Sequence, residues 1–168
     1  NGRIVEVVAA AGTDALVARA RRVVDAKGRV VSPGFIDMHS HSDMPLVTDG
    51  RAHSKIRQGV TTEVIGESGS IAPQKTPTEA QPWTDFAGYF ALLEKQGISV
   101  NLVSYVGLGT ARELIIGNDN RPPTAAELTA MQDLVTASMQ QGAAGVSTGL
   151  IYPPNAFATL DELVALSM

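Results

Sequence analysis

From residue 33 onward the chain alternates strand-type with helix-type runs, and this alternation limits the fold more than any other feature. Strand-like stretches fall over 34–38, 60–65, 99–106 and 142–147. The second, Val60-Thr61-Thr62-Glu63-Val64-Ile65, is rich in the β-branched residues that suit a pleated surface. Helical stretches are expected between them, over 46–58 before Gly59, over 83–96 before Gly97, and over 124–141. Strands alternating with helices imply parallel βα units, and there are four here. A closed (β/α)₈ barrel takes about 250 residues, so the chain holds about half a barrel. An open doubly wound sheet fits the same count. Against it, no glycine-rich phosphate fingerprint follows the first strand; a histidine pair stands there instead.

Local signals sharpen this outline. Phe86, Ala87, Phe90 and Leu93 recur at helical spacing, as do Leu128, Met131, Leu134 and Val135, so both stripes read as core. Thr124 with Glu127 forms a capping-box pattern that opens a helix. A long loop over 66–82 is punctuated by Gly66, Gly69, Pro73, Pro77 and Pro82. Residues 1–32 differ. Short β-type runs over 3–8 and 22–26, with a hairpin turn at Lys27-Gly28, read as part of a small β-domain. The expected division is 1–32 for part of that domain and 33–168 for the βα series.

The histidines carry the chemistry. His39-Ser40-His41 closes an apolar run entered through Pro33-Gly34. Side chains two apart on a strand share a face, so two imidazoles converge where the strand ends. Imidazole is the usual nitrogen ligand of zinc, and a catalytic zinc needs further ligands from elsewhere. The alternative is two solvated loop histidines; the apolar strand before them and the flanking Asp37 and Asp43 favour metal. Asp37 shares parity with His39 and is a candidate to orient an imidazole, or to bond a neighbouring strand. Asp43 reads first as a loop-capping acid. Glu67 lies two residues past the second strand, at the edge where barrel active sites are built. It stands as a metal ligand or a solvated carboxylate, evenly weighed. His53 is assigned to a helix surface and Arg112 to a salt bridge.

Composition closes off other classes. The net charge is −4, which gives no basic footprint for nucleic acid. There is no cysteine, hence no disulfide and no thiolate ligand or nucleophile. No stretch approaches the roughly 20 apolar residues that span a bilayer. Compartment is not fixed; the cytoplasm is favoured, and a signal peptide ahead of Asn1 stays open. The abrupt ends, at Asn1-Gly2-Arg3 and in a just-begun helix at 159–168, read as those of a fragment.

Pro33-Gly34-Phe35-Ile36-Asp37-Met38-His39-Ser40-His41 resembles the first-strand signature of the amidohydrolase superfamily, and Gly59-Val60-Thr61-Thr62 its second-strand entry. Ser147-Thr148-Gly149-Leu150-Ile151-Tyr152-Pro153-Pro154 is similar to the D-aminoacylase branch, the N-acyl-D-amino-acid deacylases. The runs 106–112 and 121–131 are similar to it as well. The resemblance covers almost the whole chain. It implies the N-terminal half of a metal-dependent (β/α)₈ TIM barrel preceded by part of a small β-sandwich. It implies hydrolysis of N-acyl-D-amino acids, releasing a carboxylate and a D-amino acid. The implied cofactor is zinc, one or two ions, with other divalent metals open. The resemblance implies His39 and His41 as metal ligands and Tyr152 as a contact to the substrate carboxylate, with loop packing the alternative for Tyr152. By position, Glu67 is the candidate third ligand, and Ser147 is a candidate to contact substrate or to satisfy backbone at the strand end.

Two departures stand out. Many D-aminoacylases carry a metal-binding Cys after the second strand, where this chain has Ser68 beside Glu67. The His of their third-strand element is Leu108 here. The family's general-base Asp and further histidine ligands are expected beyond Met168. The rest of the parent chain is therefore needed to complete the barrel, and the 168 residues alone are expected to have little or no activity. The enzymatic rival is a cyclic-amide hydrolase of the hydantoinase or dihydroorotase type. Those carry a carboxylated lysine on the fourth strand; the run 145–149 has no lysine. A non-catalytic half-barrel that serves as a binding module is the rival of another class.

Overall fold

In the computed structural model, residues 3–168 are described, and they fall into two compact units that divide between Pro33 and Gly34. Among the described residues of the first unit the one α-helix is α1 (Thr13–Val17), preceded by a 3₁₀ turn at Ala10–Gly12. No strand forms among its described residues. This corrects the strands expected over 3–8 and 22–26. The hairpin turn itself is present. Lys27 and Gly28 both have positive φ, 49° and 75°, the signature of a type I′ turn, and Arg29 N–H donates to Ala26 O at 2.9 Å. Its flanks do not ladder, and Val30 and Val31 are exposed. A lone two-stranded ribbon with no further strand or packed helix is marginal in water.

The second unit is mixed α/β. Strands β1 (Phe35–Asp37), β2 (Val60–Ile65) and β3 (Asn101–Ser104) form one parallel sheet in that order. β4 (Val106–Gly107) and β5 (Val146–Ser147) form a parallel pair. One long strand was expected over 99–106. Instead the chain changes partner at Tyr105. Its N–H still reaches Ile65 O, while Val106 N–H reaches Gly145 O, both at 2.9 Å. The strands thus keep chain order from first to last, with none of the reversal that marks a doubly wound sheet.

The helix expected over 46–58 is broken into α2 (Asp43–Thr48) and α3 (His53–Ile56). Two features stop it. Ala52 adopts φ 46°, and Gly50 packs so tightly that a Cβ would lie 2.3 Å from Gly97 O. The remaining helices are α4 (Phe86–Gln96), α5 (Leu108–Ile115), α6 (Ala125–Gln140) and α7 (Leu160–Ser167). Asp85 caps α4 by accepting from Gly88 N–H at 2.8 Å. Thr124 and Glu127 close the capping box of α6. Leu46, Ile65, Trp83, Phe86, Tyr89, Val106 and Met131 form the buried core under the helices. That core fixes the strand edges from which the loops after β1, β2 and β5 emerge. Among the described residues no helix is long and apolar enough to cross a membrane.

Candidate metal centre

His39 and His41 leave β1 on one face, and their rings meet. The two Nε2 atoms stand 3.2 Å apart, with ring planes at 79°. Two nitrogens on one tetrahedral zinc, each about 2.05 Å from it, stand about 3.3 Å apart. The observed spacing therefore fits two ligands of one cation. It also fits an N–H···N bond between neutral rings.

Glu67 follows β2 by two residues. Both of its carboxylate oxygens are shielded from solvent, and neither has a hydrogen-bond partner. Buried polar groups are normally satisfied, and an anion left alone is the costliest exception. This orphaned oxygen pair and the paired nitrogens fit a divalent cation. The three expected ligands are not gathered, however. Among the described residues no three His, Asp or Glu side chains form one group able to hold a metal. The structure unites His39 with His41 and does not bring Glu67 into a single set with them. The physical reason lies in the turn that carries Glu67, which is fixed by bonds to the end of β5 and the loop after it and not by the histidines.

That clasp has three parts. Ser68 takes φ 66°, and its N–H donates to Ser147 Oγ at 3.0 Å. The Ser147 hydroxyl donates in turn to Gly66 O. Asn155, 4% exposed, donates from Nδ2 to Ser68 O at 3.2 Å and to Ser68 Oγ at 2.9 Å, while its Oδ1 accepts from Thr148 Oγ1 at 2.9 Å. Glycine is required twice here. A Cβ on Gly66 (φ 87°) would lie 2.3 Å from Tyr105 O, and one on Gly107 would lie 2.4 Å from Gly69 Cα. Ser147, a candidate for substrate contact or for satisfying backbone at the strand end, has its hydroxyl engaged in both directions by this turn. Ser68 has its hydroxyl bonded to Asn155. Tyr152 is 64% exposed, with its backbone N–H tied to Gly149 O.

The remaining acids divide by surroundings. Asp37 meets the histidine backbone, not an imidazole. Its Oδ1 accepts from His39 N–H at 3.2 Å and its Oδ2 from Lys55 Nζ at 2.5 Å. Lys55 holds the Asp37 carboxyl below its ordinary value, and the His39 N–H adds to this. Asp43 is shifted the other way. Burial raises it, and the like charge of Glu67 adds to the effect, against the opposing pull of His41. Beside His41 opens a pocket of about 600 Å³ lined by Asp43, Met44, Ile71, Gln74 and Thr110, among others. His53 is exposed, as expected, and Arg112 forms a buried ion pair with Glu162.

Sequence reasoning passed over Asn155, Lys55 and Glu63. Glu63 had a legible signal, since a carboxylate in a run of Val, Thr and Ile asks for a partner. Asn155 and Lys55 had none, because their partners are distant in the chain.

The chain matches the Amidohydrolase family over residues 22–165. It is 38% identical over 159 residues to a D-aminoacylase of Alcaligenes xylosoxydans xylosoxydans, covering 88% of this chain and 33% of that protein. A solved D-aminoacylase structure, described for its binuclear metal centre, superposes with a TM-score of 0.82 at 36% identity, covering 90% of this chain and 35% of that one. The N-acyl-D-glutamate deacylase of Bordetella bronchiseptica, solved with zinc and a phosphonate mimic of the tetrahedral intermediate, gives 0.76 at 38% identity, covering 84% and 32%. The chain spans about a third of the length of the curated relatives it matches. With its paired histidines at the strand edge and a family match across most of its length, the chain belongs to the amidohydrolase family.

Proposed function

We propose that the protein hydrolyses the amide bond of N-acyl-D-amino acids at a metal centre, yielding a carboxylate and a free D-amino acid. The observation that carries this reading is the 3.2 Å approach of the His39 and His41 Nε2 atoms. The orphaned Glu67 carboxylate supports it. So do the deacylase relatives, one of them solved with zinc. The proposed ligands are His39, His41 and Glu67, and the proposed cation is zinc, as one or two ions. The architecture we infer is the first half of a (β/α)₈ barrel over 33–168, with residues 1–32 part of a small β-sandwich. The unreversed strand order supports the barrel, and the type I′ turn at Lys27-Gly28 supports the sandwich.

A cation held there supplies Lewis-acid polarisation of the amide carbonyl and acidifies water. His39 and His41 would hold the cation through the lone pairs of Nε2, which would leave each ring proton on Nδ1. Glu67 contributes anionic oxygen, which compensates positive charge at the site. Tyr152, on a loop stiffened by Pro153 and Pro154, offers an exposed phenol to the substrate carboxylate. Ser147 acts through the turn it holds. We assign no general base within these residues.

The test uses the full-length protein. Metal analysis and hydrolysis of N-acetyl-D- and N-acetyl-L-amino acids are compared in wild type and His39→Ala. Bound zinc and D-selective turnover, both lost in the variant, are expected. Undiminished turnover in His39→Ala, or no metal bound at saturating zinc, refutes the reading.

A further inference from the structure

We propose that Lys55 and Glu63 form an ionic clasp that presets His39-Ser40-His41 for a cation, acting on the pair through Ser40 and Asp37. This inference rests on the metal-site reading above. Ser40, between the two histidines, is 2% exposed and faces away from the rings. Its Oγ donates to Glu63 Oε2 at 2.6 Å, meets Ser42 Oγ at 2.7 Å and accepts from Lys55 Nζ at 3.1 Å. Its backbone N–H donates to Val64 O at 2.9 Å, which carries the β1–β2 pairing past Asp37. Lys55, rising from α3, reaches Asp37 at 2.5 Å and Glu63 at 3.5 Å. Asp37 in turn fixes the His39 N–H. Every link of the cluster ends on the tripeptide or on the strand beside it.

The cluster is a poor device for stability alone. Glu63 is fully buried, and its Oε1 has no partner. The Lys55 and Asp37 side chains keep 23% and 27% of their surface exposed, so the charge withdrawn from water is that of Glu63, and a buried charge of this kind is often matched or bettered by an apolar side chain of the same volume. What apolar side chains could not do is pin Ser40 from three directions. With Ser40 pinned, the Cα positions on either side are set, and the imidazoles project at a fixed separation. A pair whose backbone is preset has only its side-chain torsions left to order when a cation binds, and groups behind metal ligands raise affinity by fixing them in place.

The test is zinc affinity by chelator competition in the full-length protein, with thermal unfolding of the metal-free form measured alongside. Lys55→Met keeps the length of the side chain and removes its charge. It is expected to weaken zinc about 10- to 100-fold and to shift the visible band of the Co²⁺-substituted protein. Lys55→Arg is expected to restore most of the affinity. A purely structural role gives the opposite split, with a lower unfolding temperature and wild-type affinity in the folded protein. Zinc affinity within twofold of wild type in Lys55→Met overturns the clasp. Should that variant not fold, Ser40→Ala is read by the same criterion. His39→Ala separates the two claims: if it abolishes binding while Lys55→Met does not, the metal site stands and the clasp falls. If it binds zinc as wild type does, both fall.

Discussion

Glu162 and Glu67 are both carboxylates withdrawn from water, and their surroundings are opposite. Glu162, at 3% exposure, receives Arg112 Nη1 at 2.7 and 2.5 Å. Arg112 itself is 1% exposed, and its Nη2 reaches the carbonyls of Asp119 and Arg121. The pair ties α5 to α7 and to the turn before α6. Glu67 has no partner on either oxygen. A charge buried to hold helices together arrives with its counter-charge. A carboxylate shielded from water without a partner, on a loop at the strand edge, is a candidate to receive a cation that arrives later.

The largest expected effect comes from breaking the buried ion pair, whose charges are matched although Arg112 Nε itself has no partner. Arg112→Met leaves Glu162 buried without its cation, and the expected cost is about 3–5 kcal/mol in urea unfolding. Zinc affinity of the folded protein should be unchanged, since none of the Arg112 contacts reaches the histidine pair. A variant as stable as wild type breaks the comparison. The mirror experiment is Glu67→Gln. Neutralising the unpartnered carboxylate is expected to raise the stability of the metal-free protein by about 1–3 kcal/mol. Zinc affinity should fall by at least about tenfold. Destabilisation with zinc affinity intact means that Glu67 is an ordinary core acid.

How much of this was legible in the sequence follows from how local each signal is. The capping box at Thr124 and Glu127 needs four residues and was readable as it stands. Strand β2 occupies its expected range because its β-branched run is interrupted only at Glu63. The convergence of His39 and His41 keeps the parity of the strand although β1 ends at Asp37, because Ser40 N–H still pairs with Val64 O. The helix expected over 46–58 failed on a tertiary contact, the approach of Gly50 to Gly97 O, which no local pattern encodes. The strands expected within 3–33 failed because apolar alternation says that a segment can pair and does not say that a partner exists. In the site, Asn155 bonds Ser68 across 87 positions, and Lys55 reaches Asp37 across 18. Their roles appear only once the chain is folded.

A smaller effect tests whether the Glu67 turn is held from outside. Asn155→Ala removes two donated bonds to Ser68 and one accepted from Thr148. The site is buried, so some partners stay unpaired, and the expected loss is about 1–2 kcal/mol by urea unfolding. Zinc affinity should fall too, because the turn that aims Glu67 loosens. Hydrogen exchange at the Ser68 and Gly69 amides reports the loosening directly; unchanged protection there would remove Asn155 from the account.

The smallest expected effect sits on a third carboxylate, which has the partners of Glu162 and the solvent access that Glu162 lacks. Glu127 accepts from Arg121 Nη2 at 2.7 Å, Arg121 Nη1 at 2.8 Å and Thr124 N–H at 2.7 Å. The Arg121 guanidinium, helped by the Thr124 N–H, lowers its pKa from 4.5 to about 2. A depressed carboxyl stabilises the fold at pH above its unfolded value, and that contribution is lost as pH falls through the folded one. The relevant window is therefore from about pH 4.5 down to about 2. Glu127→Gln should flatten the stability profile within that window and lower stability only slightly at neutral pH, because solvent screens an exposed pair. Unfolding midpoints measured at pH 7, 4 and 2.5 decide it. A variant whose acid limb is as steep as that of wild type shows that full pairing at the surface contributes no more than no pairing. The contrast with Glu162 would then rest on burial alone.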